Sequence, residues 1–80
     1  MLGKLENSDA AYPAVTLALR SDEVTELIRC LEQLRDGNLE HFHIRCNDFK
    51  PDRGIGDIEL SLMGPTDNGN MSIDGSPCKE

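Results

Sequence analysis

Between Ser21 and Arg35 the apolar residues Val24, Leu27, Ile28, Leu31 and Leu34 recur at spacings of three and four. At 3.6 residues per turn this period stacks side chains into one stripe of an α-helix. No other stretch of the chain is as regular, so whatever else forms has to cover that stripe. The opposite side carries Glu26, Arg29, Glu32, Gln33 and Arg35, whose pairings in water contribute only tenths of a kcal/mol. Both ends are marked. Ser21 is placed to accept the free N–H groups of the first turn, Asp22 and Glu23 lie where the helix dipole favours negative charge, and Gly37 offers a left-handed stop.

The segments flanking the helix read as strands. From Ala14 to Arg20, Val15, Leu17 and Leu19 alternate with Ala14, Thr16, Ala18 and Arg20, the period of a half-buried strand that Tyr12 and Pro13 introduce. Leu39 to Cys46 alternates again, with Phe42, Ile44 and Cys46 on one side and His41, His43 and Arg45 on the other. Ile58, Leu60 and Leu62 alternate with Asp57, Glu59, Ser61 and Met63 before Gly64 and Pro65 stop the run. The expected fold is therefore α+β, a two-layer β-α-β-β sandwich with the helix packed on a small mixed sheet. In it a helical crossover sets the first two strands parallel, and the last two form an antiparallel hairpin.

Domain organisation follows from the same pattern: a flexible tail over residues 1–11, one α+β domain over 12–64, and a flexible tail over 65–80. An alternative for the last segment is a turn at Asn68-Gly69 that returns Asn70 to Asp74 as a short extra strand. In the connection between the last two strands, Phe49 and Ile55 either cap the edge of the core or form an apolar tip for a partner. A chain of 80 residues has a thin core, and association with a copy of itself or with another protein is the expected way to add buried area.

Charge narrows the partners. Eight Lys and Arg against fifteen Asp and Glu give −7, which repels phosphate backbones and suits a basic protein, so no nucleic-acid ligand is expected. The three cysteines, Cys30, Cys46 and Cys78, are odd in number and lack metal or redox spacing, which fits a reducing cytoplasm. Cys30 and Cys46 read as small core residues and Cys78 as an exposed tail thiol. Neither a signal sequence nor a membrane span is expected, since residues 1–9 hold no apolar run.

His41-Phe42-His43 is the most suggestive triplet, because residues two apart on a strand point the same way. Two imidazoles alone do not make a zinc site, and the available additions are Glu59 or Asp57 from the neighbouring strand. His43 beside Arg45 and Glu59, with Ser61 across the hairpin, has acid–base chemistry but no expected pocket to exclude water. Asp48 to Gly56 has neither the order of a calcium loop nor that of a phosphate-binding loop. The expected surface for interaction is accordingly His41, His43, Arg45, Glu59 and Ser61, with Thr16 and Ala18 on the same open face. No cofactor, metal or catalytic residue is assigned.

With a strand, a capped helix and then Glu40-His41-Phe42-His43-Ile44 in succession, residues Val15 to Leu62 resemble the thirty-second class of immunity proteins attached to bacterial polymorphic toxins. Gly54-Ile55-Gly56 is similar to a later segment of that family. The resemblance implies a non-enzymatic cytoplasmic protein that binds and silences a cognate toxin. The expected function is thus a protein-interaction module, immunity-like. The alternatives are a structural homodimer or a small metal-binding protein using His41 and His43.

Overall fold

The computed structural model describes residues 1–48 and 54–76. Five elements follow one another: β1 (Leu2–Glu6), β2 (Ala14–Ala18), α1 (Ser21–Arg35), β3 (His41–Arg45) and β4 (Asp57–Ser61). The class is α+β, as the hydrophobic periods require, and α1 has the limits its caps predict. The sheet is arranged differently. Two antiparallel two-stranded sheets, β1-β2 and β3-β4, stand in place of one mixed sheet.

Residues 1–11, expected as a tail, supply β1. Its register against β2 runs from Leu2 opposite Ala18 to Glu6 opposite Ala14, closed by a loop in which Asn7 has φ 55° and its carbonyl accepts from Ala10 N–H at 2.8 Å. This local hairpin replaces the expected parallel pairing of Ala14–Ala18 with His41–Arg45. Closing a short loop costs less chain entropy than ordering a crossover, and it satisfies one edge of β2 at once. Thr16 and Ala18 consequently lie on a different sheet from the histidines and do not share their face. Residues 65–76 carry neither helix nor strand, so the extra strand at Asn70 to Asp74 is not formed. Phe49 and Cys78 lie outside the described residues.

The helix begins at Ser21 as expected, but Ser21 is not its cap. Arg20, extended at φ −75° and ψ 160°, occupies the cap position, and Ser21 is already helical. Arg20 has no side-chain acceptor to offer; the cap is made instead by Glu23, whose Oε1 accepts from Arg20 N–H at 3.0 Å. Glu23 also holds the Met1 ammonium at 2.7 Å, and these two donors, the ammonium foremost, keep its carboxyl below the usual range. At the other end Gly37, with φ 81°, donates to Leu34 O at 3.2 Å while Asn38 N–H donates to Gln33 O at 2.9 Å. These are the two bonds of a Schellman stop.

Packing is sparse. Helix α1 rests mainly on β3, and Phe42, Ile44, Ile58 and Leu60 form the half-buried face beneath it. Ile55 bridges toward the other hairpin: a Cβ on Gly3 would come 3.5 Å from its Cδ1 and 3.2 Å from Leu17 Cδ2, so the bare glycine lets the two hairpins approach. Leu34, 5% exposed, is the one buried apolar residue among those described. The chain exposes 7440 Å², where a compact monomer of this mass exposes about 4,800 Å². Its radius of gyration is 14.6 Å against about 12 Å for a compact domain of this length.

Candidate functional site

Strand alternation decides which side chains share the outer face of the β3-β4 hairpin. With Phe42 and Ile44 turned toward the helix, His41, His43 and Arg45 point away from it. The register sets His41 opposite Ser61, His43 opposite Glu59 and Arg45 opposite Asp57. The five residues expected to form an interaction surface therefore lie side by side, and Asp57 joins them.

His43 is the centre of this group. Its Nδ1 lies 3.0 Å from each oxygen of Asp57, and its Nε2 lies 3.5 Å from Glu59 Oε1. Arg45 Nε approaches the same Asp57 at 3.5 Å. A carboxylate only accepts, so Nδ1 donates to Asp57 and the orientation of the ring is set. The His41 ring stands edge-on to His43, with centroids 5.1 Å apart and an interplanar angle of 88°. Donor atoms of His41, His43 and Glu59 all lie within 4.8 Å of one another. His43 is partly shielded, with 22% of its side chain accessible, and Glu59 is more open. Cys46 faces away from this group as its parity predicts, its thiol donating to Asp48 O at 3.3 Å.

Two further surfaces were not foreseen from the sequence. The first is a flank of α1. The stripe was expected to be covered as a whole, but the half-buried residues of the helix are Glu23, Leu27, Cys30 and Gln33 around buried Leu34. The helix is rolled so that Val24, Ile28 and Leu31, at i, i+4 and i+7, stay 43%, 51% and 41% exposed. A covering layer as narrow as one two-stranded hairpin cannot span a stripe that wide. The second is a cleft of about 510 Å³ bounded by Leu17, Leu27, Cys30, Phe42, Ile44 and Ile58 among others. It is the space left where two hairpins, rather than one continuous sheet, meet the helix.

No protein-family model matches the chain, and neither a curated protein nor a solved structure is significantly similar to it.

Proposed function

We propose that this chain is a non-enzymatic protein-interaction module that docks the Val24, Ile28 and Leu31 flank of α1 against a basic protein in the cytoplasm. The observation that carries this reading is the open flank itself: Val24, Ile28 and Leu31 stay 43%, 51% and 41% exposed on the helix that buries Leu34. A standard interface covers roughly 800 Å² per partner, and Val24, Ile28 and Leu31 supply apolar surface for its centre. The net charge of −7 favours encounter with a basic surface and disfavours apposition of two copies. The outer face of β3-β4, with His41, His43, Arg45, Glu59 and Ser61, offers a polar second contact. A toxin domain is the partner that an immunity-like role, the one the resemblance of Val15 to Leu62 implies, would assign to it.

The test compares the tagged chain with an Ile28→Glu variant in pull-downs from extract of the native cell. The reading expects a basic protein retained by the unaltered chain, lost with Ile28→Glu, and weakened by added salt. Equal retention by both chains would reject it. A dimer mass in light scattering that Ile28→Glu abolishes would assign the flank to a second copy instead.

A further inference from the structure

Independently of that docking flank, the geometry points to a divalent-metal site on the outer face of the β3-β4 hairpin, with His41, His43 and Glu59 as ligands and Asp57 behind them. His43 is held on one side. Its Nδ1–H is committed to Asp57 at 3.0 Å, so in the neutral ring the lone pair of Nε2 faces outward. That lone pair meets the Glu59 carboxylate at 3.5 Å. Two acceptors this close are stabilised by a positive centre between them, either a proton on the ring or a cation.

The surroundings favour a cation. Tetrahedral ligation at metal–ligand distances of about 2.0–2.2 Å places ligand atoms about 3.4 Å apart, so His43 and Glu59 already stand at that spacing. His41 offers its nitrogen within 4.8 Å of both, and its ring is exposed, so neighbouring side chains do not pack it in place. The Asp57–His43 contact is the arrangement in which a carboxylate behind a ligating histidine fixes its tautomer and ring orientation. Imidazole with a single carboxylate suits Zn²⁺ better than the all-oxygen cations Ca²⁺ and Mg²⁺. Three protein ligands leave a fourth position for water or for a group brought by another molecule.

The chain has two histidines and both belong to this site, so their imidazole resonances report on it without mutation. Titration of the full-length protein with Zn²⁺ alone, followed by calorimetry and by ¹H–¹⁵N spectra of the imidazoles, is expected to saturate at one equivalent and to shift both rings. Asp57→Asn is expected to weaken binding ~10- to 100-fold, with larger losses in His43→Ala and Glu59→Gln while the far-ultraviolet circular dichroism is retained. Mg²⁺ at the same concentration is expected to leave the rings unmoved. Imidazole resonances unchanged by Zn²⁺, or Zn²⁺ affinity unchanged in His41→Ala, His43→Ala and Glu59→Gln, would overturn the assignment. The unaltered chain alone suffices for the first of these, so a variant that fails to fold does not shelter the inference.

Discussion

Leu34→Ala and Leu31→Ala make the same chemical change three residues apart on one helix, and the fold predicts unequal costs. Helix propensity changes equally in the two, so it cancels from the comparison. Leu34 is 5% exposed; removing its outer carbons at about 0.8 kcal/mol each, with a cavity left behind, costs about 2–4 kcal/mol. Leu31 is 41% exposed, so only the buried share of the same transfer is lost and no closed cavity forms, about 1–1.5 kcal/mol. A domain this small holds on the order of 4–12 kcal/mol, so the Leu34→Ala loss is a large share of its stability and the Leu31→Ala loss a small one. Urea unfolding followed by circular dichroism, at protein concentrations low enough to keep the chain monomeric, measures both midpoints. A Leu31→Ala loss equal to or larger than that of Leu34→Ala would refute the roll of the helix on which the open flank depends.

Gly37→Ala places a Cβ at φ 81°, where nothing crowds it but the backbone itself disfavours an L-residue, and is expected to cost about 1–2 kcal/mol by the same unfolding assay. Glu23 has a folded pKa below its ordinary value, so its contribution is fully present above the unfolded carboxylate pKa and is lost as pH falls through the lowered folded one. Glu23→Gln keeps an acceptor for Arg20 N–H but removes the charge, and is expected to flatten the acid side of the stability profile; superimposable profiles would contradict this.

The helix was legible because a five-residue stripe, an acidic first turn and a C-terminal glycine all state the same element. Placement of His41, His43, Glu59 and Ser61 on one face followed equally from period two and a hairpin. Strand β1 was not legible: Leu2 and Leu5 are three apart, Gly3 and Lys4 lie between them, and nothing alternates. The one local signal was turn chemistry at Asn7, Ser8 and Asp9, which reads as a tail until a strand is supplied on its N-terminal side. Missing β1 led to the wrong partner for β2, and hence to placing Thr16 and Ala18 beside the histidines. The roll of α1 also escaped the sequence, because Cys30 and Leu31 are both apolar enough to face inward and the choice is made by the width of the hairpin beneath them. Asp57 is one of the two carboxylates that the hairpin offers to the histidines, but its place behind His43 depends on a diagonal contact that register alone does not specify.

The central claim is that the Val24, Ile28 and Leu31 flank is open in the lone chain and closed in the complex. Methyl relaxation by a soluble paramagnetic agent reads this directly in ¹³C-methyl spectra of Ile28, Leu31 and Leu34, recorded with and without the protein that the pull-down retains. The account predicts strong relaxation of Ile28 and Leu31 and weak relaxation of Leu34 in the isolated chain, with the flank alone becoming protected when the partner is added. Leu34 relaxing as fast as Ile28, or a flank whose relaxation the bound partner leaves unchanged, would contradict it.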